Sequence, residues 1–328
     1  MIPLLLAHSS SAHIPIGGGG ESLDTAIWVN EPQNSWVSYT ELDEAAEPQY
    51  FRFNATAGTR IDLRLGIPIE LAATTFRPVL VLMGPGLTNQ STPPAYLELP
   101  EGEGVMVFDS EPEFPEFEGF TPSSFYLVAD IELQVPETGT YYVAVFEPSS
   151  GGRYALVFGY IEAYTLLDWI LIPFNGIMVH QWEGQSELLI FGPYVAAVVV
   201  GLILIFGRKS EKLDSTAPLA ELGLFASVLI GASSISIVFQ MIIALMGAPI
   251  NFLIVVTILV ILASLLGGYF GVRVLFGAGM EEVRTNWWKL IIIGLLGLFL
   301  WTGYVIGPIL LIIVAVVPFI LQTSSRSE

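Results

Sequence analysis

Hydrophobic and polar residues follow different patterns in the two halves of the chain. Up to about residue 162, apolar and polar positions alternate over short runs separated by Gly, Pro, Asn and Asp, which is typical of strands with one buried face. The clearest run is 59–65, in which Ile61, Leu63 and Leu65 alternate with charged residues. From residue 188 onward the chain has long apolar runs. We therefore predict a β-rich first half and a membrane-spanning second half.

The first half has the strand spacing of an antiparallel, jelly-roll-like β-sandwich, which we predict over residues 21–162. Its candidate strands are 49–54, 59–65, 79–82, 125–135, 141–146 and 153–160. Residues 1–20 precede the sandwich. Within them, 1–12 resemble the end of a signal peptide, and the glycines at 17–20 are predicted to form a flexible stretch.

Three motifs of this half resemble a known domain family. They are YFRFNATAGTRIDLRL at 50–65, PETGTYYVAV at 136–145 and GRYALV at 152–157. Together they are similar to the strand motifs of bacterial and archaeal pre-peptidase C-terminal domains, over about residues 49–160. The resemblance implies a jelly-roll-like sandwich that acts as an accessory binding or stabilising module. It implies no catalytic residues.

The second half is predicted to be an all-α transmembrane bundle of about four helices. Its apolar segments are 188–207, 222–246, 250–276 and 290–321, and 322–328 form a tail. The last segment would measure ~48 Å as one straight helix, against a hydrocarbon core of ~30 Å. We predict a tilted helix that is kinked at Pro308 and leaves the C-terminus outside, with a tight helical hairpin as the alternative.

The connection between the halves, 163–187, has an apolar run that is too short and too interrupted to cross a bilayer. Trp169, Phe174 and Trp182 flank this run, and Pro173 breaks it. Aromatic residues favour the membrane–water interface. We therefore predict an interfacial strap that docks the sandwich on the bilayer.

Charge divides the chain at the same place and predicts its topology. Residues 1–188 contain 25 acidic and 5 basic residues, a net charge of −20. The densest basic cluster, 208–212, follows the first apolar segment. The positive-inside rule places the loops 208–217 and 277–286 in the cytoplasm and the acidic half outside the cell membrane. A domain with this charge repels nucleic acid and attracts cations or basic partners.

Several classes of function lack their usual residues. The chain has no cysteine, which excludes disulfides, thiolate metal sites and cysteine nucleophiles. The apolar segments carry almost no ionisable residue, which argues against a pump, a coupled transporter or an intramembrane protease. No phosphate-binding loop, HExxH motif or dinucleotide fingerprint is present. We therefore do not expect an enzyme.

Two sets of residues are candidate metal ligands. His13 would become the N-terminus if a signal segment ended at Ala12, and it could bind copper together with His180. The alternative is a loose terminus and an interfacial histidine. The residues 98–118 contain eight acidic residues and no basic one, and the candidate calcium ligands among them are Glu111, Glu113, Glu116 and Glu118. The alternative is a solvated acidic loop.

These observations predict a membrane-anchored extracytoplasmic interaction module. It would be non-catalytic and would serve as an accessory subunit or bind a partner of the cell envelope. One alternative is a pentameric ligand-gated-like channel, with Ser227, Gly231 and Ser234 along a pore and Glu221 at its inner end. Another is a copper- or calcium-binding ectodomain. The oligomeric state stays open.

Overall fold

Two β-sheets form the first half of the protein. The computed structural model describes residues 13–89, 92–109, 114–207, 213 and 216–324. Its strands are β1 (Ile14–Pro15), β2 (Ile27–Trp28), β3 (Trp36–Leu42), β4 (Gln49–Ala55), β5 (Arg60–Pro68), β6 (Val79–Gly84), β7 (Gly104–Phe108), β8 (Pro115–Glu118), β9 (Ser123–Gln134), β10 (Gly139–Phe146) and β11 (Gly152–Phe158).

Helices form most of the second half. They are α1 (Ile69–Ala72), α2 (Leu166–Trp182), α3 (Glu187–Phe206), α4 (Pro218–Gly247), α5 (Ile254–Leu275), α6 (Met280–Thr285), α7 (Trp287–Phe299) and α8 (Ile306–Ser324), with a 3₁₀ turn at Thr302–Val305. Among the described residues, α3, α4, α5 and the segment Thr302–Ile320 are long and apolar enough to cross a membrane. The predicted combination of paired sheets and about four transmembrane helices is confirmed.

The chain divides into two compact units. The sheet unit comprises the chain up to Trp169, together with Met178–Gly184 and Ala244–Asn251. The helix unit comprises Ile170–Ile177, Gln185–Ile243 and the residues from Phe252 onward.

Strand pairing in the sheet unit is mixed, although antiparallel pairing dominates. One sheet has the order β1-β3-β11-β5-β9-β8 and the other β2-β4-β10-β6-β7. Among the described strands, β1 pairs with β3 and β2 with β4 in parallel, and the other pairs are antiparallel. The predicted antiparallel sandwich thus also contains parallel pairs at two edges, where short N-terminal segments pair with strands that follow them in the chain.

The core of the sheet unit contains side chains from both sheets. Leu63 and Phe158 of one sheet and Phe53 and Leu82 of the other are completely buried in one cluster. In β5 the apolar positions of the predicted alternation face this core, while Arg64 pairs with Asp130 of β9 at 3.5 Å. The two-residue period of strands thus accounts for both faces of β5.

The N-terminal glycines belong to the sheet structure, in contrast to the predicted flexible stretch. Gly20 exchanges two backbone hydrogen bonds with Tyr50, of 2.9 and 2.7 Å. A side chain at Gly20 would collide with the backbone carbonyl of Thr25. These glycines therefore allow close backbone packing. The possible signal segment 1–12 lies outside the described residues.

The predicted interfacial strap contains a regular helix. Thr165 accepts a hydrogen bond from the backbone N–H of Asp168, and the Asp168 carboxylate accepts one from the backbone N–H of Thr165 at 2.9 Å. This capping box begins α2, and Pro173 lies within the helix. The prediction of a broken segment rested on Pro173 and did not include the capping residues Thr165 and Asp168.

The last apolar segment is a helical hairpin, and the prediction of one helix kinked at Pro308 is corrected. The ring centroids of Trp287 in α7 and Phe319 in α8 lie 5.7 Å apart, and Gly294 of α7 faces Ile312 of α8. In a continuous helix, residues 294 and 312 would lie ~27 Å apart. Because α7 and α8 are antiparallel, α8 ends at the level where α7 begins. The end of α8 therefore lies at the same end of the hairpin as the start of α7. A single kinked helix would instead have placed these two ends on opposite sides of the membrane.

The break lies at residues 301–305, upstream of Pro308. Trp301, Gly303, Tyr304 and Val305 have φ values between 50° and 60°. A left-handed conformation is strained for a β-branched residue such as Val305 and stops an α-helix. Pro308 instead lies in the first turn of α8, where its missing N–H costs no helical hydrogen bond.

Candidate functional sites

His13, the first candidate copper ligand, lies at the edge of the sheet unit. Its Nδ1 is 2.5 Å from Ser35 Oγ. Burial, assisted by the positive charge of Arg64, lowers the pKa of His13 to about 4. The imidazole is therefore neutral at neutral pH, which is the form that binds metals.

His180, the second candidate, belongs to a buried acid–imidazole pair at the end of α2. Its Nδ1 lies 3.0 Å from Glu183 Oε2. The other carboxylate oxygen of Glu183 accepts a hydrogen bond of 2.8 Å from the backbone N–H of Ser124 in β9. Both oxygens of Glu183 are thus engaged, and the pair joins the end of α2 to the sheet.

Tyr39 of β3 lies beside this pair and close to Glu118 of the stretch 98–118, which we call the acidic segment. The rings of Tyr39 and Trp182 are 5.4 Å apart. Burial, together with the negative charges of Glu118 and Glu183, raises the pKa of Tyr39 above its usual value. Glu118, a candidate calcium ligand, and Glu183, the partner of the candidate copper ligand His180, thus both act on one protonated tyrosine.

Two of the four candidate calcium ligands, Glu116 and Glu118, lie among the described residues. Glu111 and Glu113 lie outside the described residues. Glu116 is exposed on β8, and Glu118 accepts a hydrogen bond of 2.8 Å from the backbone N–H of Phe120. Over the part of the chain that the structure describes, no group of three or more His, Asp or Glu could hold a metal ion.

The hairpin turn of the helix unit makes polar contacts with the middle of α4. The backbone N–H of Gly303 donates to Ser233 Oγ at 2.6 Å, and the Tyr304 and Ser236 side chains share a hydrogen bond. Tyr194 of α3 contacts the Tyr304 ring edge-to-face at 5.0 Å. In a bilayer, a non-helical segment needs such partners because lipid offers its backbone none.

The proposed pore residues of α4 lie in a helix–helix contact of the single chain. Gly231 packs against Gly268 of α5, and Ser227 packs against Gly271. The Ser227 and Ser234 hydroxyls donate to carbonyls of their own helix, at 2.7 and 2.6 Å. Within one chain, this face of α4 is therefore covered by α5.

No model of a known protein family and no curated protein matches the chain. The resemblance to pre-peptidase C-terminal domains accordingly stays a prediction. The protein consists of a unit of two sheets and a unit of helices that are suited to several membrane crossings.

Proposed function

We propose that the chain is a multi-pass membrane protein that holds its acidic sheet unit outside the cytoplasm, where the unit binds a partner of the cell envelope without catalysing a reaction. The observation that carries the proposal is the coincidence of charge and fold. The net charge of −20 belongs to residues 1–188, whereas the remaining residues have a net charge of +1.

Helix connectivity supports this orientation. The connection between α4 and α5 belongs to the sheet unit, and Asn251 Nδ2 donates to the backbone carbonyl of Phe117 in β8 at 2.8 Å. The last residues of α4, from Ala244 onward, therefore belong to the sheet unit. The other end of α4 follows the basic cluster 208–212, which the positive-inside rule assigns to the cytoplasm.

The ion pairs of the sheet unit support a role in binding. Arg60, Arg64 and Arg153 already pair with carboxylates of the same unit. Residues 1–188 contain 25 acidic residues and only 5 basic ones, so five arginines face a large excess of carboxylates. Such an excess keeps a domain soluble and steers oppositely charged partners toward it.

Single cysteines test the orientation, because the natural chain has no cysteine that would react. Ala57 is exposed in the turn after β4, and Thr285 is exposed at the end of α6. In intact cells, a membrane-impermeant maleimide should label Ala57→Cys at once and Thr285→Cys only after permeabilisation. The cysteine-free parent is the background control. The reverse pattern would refute the extracytoplasmic placement.

Neutralising exposed acids tests the binding role. One variant carries Glu101→Gln and Glu116→Gln in the acidic segment, and the matched control carries Asp43→Asn and Glu44→Gln between β3 and β4. We expect the envelope component that co-purifies with the parent to be reduced in the first variant and retained in the second. Equal retention in both variants would contradict a partner surface in the acidic segment.

A further inference from the structure

Arg52 of β4 differs from the other arginines of the sheet unit. Arg60, Arg64 and Arg153 bind carboxylates, and Arg77 donates to backbone carbonyls. Arg52 makes no ion pair and no side-chain hydrogen bond with any described residue, and its Nε is buried without a partner. An unpaired guanidinium is unexpected in a half of the chain with a charge of −20, because carboxylates are abundant there.

Two aromatic residues flank Arg52 on the neighbouring strands. Trp28 of β2 and Tyr142 of β10 are its direct register partners on either side. Directly opposite residues in a sheet share a face, so the three side chains form one row. The guanidinium carbon lies 5.7 Å from the centre of the Trp28 ring, which is half exposed.

A polar pair continues this face two residues further along the same strands. Asn54 lies opposite Thr140, whose hydroxyl donates to Asn54 Oδ1 at 2.9 Å. Two residues in the other direction, Tyr50 is completely buried in a hydrophobic cluster on the outer face of this sheet. The row of Trp28, Arg52 and Tyr142 therefore lies where the covered part of the face gives way to an open, polar part. We call this row and the Asn54–Thr140 pair the arginine platform.

We propose that the arginine platform binds a carbohydrate that carries a carboxylate, such as a uronic acid residue of an envelope polysaccharide. The proposal rests on the proposed extracytoplasmic role and adds a second ligand, which binds at Arg52 and not at the acidic segment 98–118. The Arg52 guanidinium binds the carboxylate, the half-exposed Trp28 ring packs against the sugar ring, and the Asn54 and Thr140 side chains bind sugar hydroxyls.

The chemistry of each group fits this ligand. A guanidinium presents paired donors that match the two oxygens of a carboxylate, and such charge-assisted bonds are stronger than neutral ones. A buried donor without a partner is costly, so a ligand that supplies an acceptor gains that free energy. A phosphate or a free anion would use the arginine but has no apolar face that could pack against the half-exposed Trp28 ring.

Calorimetry with the purified full-length protein in detergent tests the proposal. The probes are trigalacturonate and its methyl ester, which has the same rings without the charge. Arg52→Gln removes the charge, and Arg52→Lys retains it without the paired donors. Arg60→Gln is the matched control, because Arg60 also lies over an aromatic ring, that of Tyr160 at 4.7 Å, but already pairs with Asp62.

We expect trigalacturonate to bind and its methyl ester to bind at least tenfold more weakly. Arg52→Gln and Trp28→Ala should each weaken trigalacturonate binding at least tenfold, Arg52→Lys should give an intermediate loss, and Arg60→Gln should have no effect. Circular dichroism and thermal melting show whether each variant is folded.

Three results with the sugar probes would overturn the proposal. They are the absence of trigalacturonate binding by the folded parent, equal binding of the acid and its ester, and unchanged binding by folded Arg52→Gln. Inorganic phosphate that binds as tightly as trigalacturonate would overturn it as well, because a simple anion site needs no aromatic rings. Cysteine labelling reports the orientation separately, so the two proposals can fail independently.

Discussion

Gly268 lies at the closest approach of α4 and α5, and its replacement by alanine should separate these helices. A Cβ atom at this position would lie 2.6 Å from the Cα of Gly231, 2.8 Å from its backbone nitrogen and 2.9 Å from the carbonyl oxygen of Ser227. Favourable contacts between carbon atoms occur at about 3.5–4.0 Å. All three neighbours are backbone atoms, so no side chain can rotate away, and the helices must separate by about 1 Å.

The cost of this separation follows from the loss of packing. A gap of about 0.5–1 Å forfeits roughly a quarter to a half of the dispersion energy between facing atoms, and overpacking typically costs about 1–3 kcal/mol. Close packing is a main source of helix association in lipid. We therefore expect Gly268→Ala to lower the free energy of unfolding by about 2 kcal/mol relative to a matched glycine-to-alanine variant.

Gly267 provides the matched control, because it is the adjacent residue of the same helix. Its Cβ would meet only side-chain atoms, the nearest being the Cγ2 methyl of Ile230 at 3.2 Å, and a shift of a few tenths of an ångström relieves this contact. Both variants gain the same helix propensity from alanine. The assay is unfolding of the full-length protein in mixed micelles with increasing SDS, followed by circular dichroism. The reasoning is refuted if Gly268→Ala unfolds at the same SDS fraction as Gly267→Ala or at a higher one.

Three further predictions concern the hairpin, the start of α2 and the N-terminal histidine. Gly294→Cys and Ile312→Cys should form an oxidative crosslink with each other, and a continuous helix would prevent it; the exposed Ile292→Cys paired with Ile312→Cys is the control. Thr165→Ala removes the capping box of α2 and should destabilise its first turn by about 1 kcal/mol, measured as faster amide exchange, with no change expected near the end of the helix. The pKa of His13 is lowered to about 4, so the stability it contributes is complete above pH ~6.5 and is lost as the pH falls to about 4. In urea titrations His13→Asn should flatten this pH dependence, and an unchanged slope would contradict the assignment.

Periodicity and length in the sequence determined the broad architecture. The alternation of Ile61, Leu63 and Leu65 with charged residues predicted both faces of β5, because successive side chains of a strand point in opposite directions. The lengths of the apolar runs predicted the spans that became α3, α4 and α5. Both signals are local, and each depends only on the geometry of one element.

The helix crossing, the hairpin break and the surroundings of Arg52 depended on the tertiary structure, because each arises from residues far apart in the chain. Gly267 and Gly268 are adjacent in one apolar run, and only the helix crossing places Gly268 against Gly231. The hairpin break depends on the contact of Gly303 with Ser233, which lies 70 residues earlier.

In the sequence, Arg52 is a polar position between two apolar ones, as are many other polar residues of the sheet unit. Only the pairing of β4 with β2 and β10 places Trp28 and Tyr142 beside it. The fold likewise decides that Arg60, Arg64 and Arg153 meet carboxylates, whereas Arg52 meets none among the described residues. The sequence therefore determined which segments are strands and spans, since hydrophobic burial acts locally. The tertiary structure decided which side chains meet, since strand register and helix crossing are set by the packing of the whole chain.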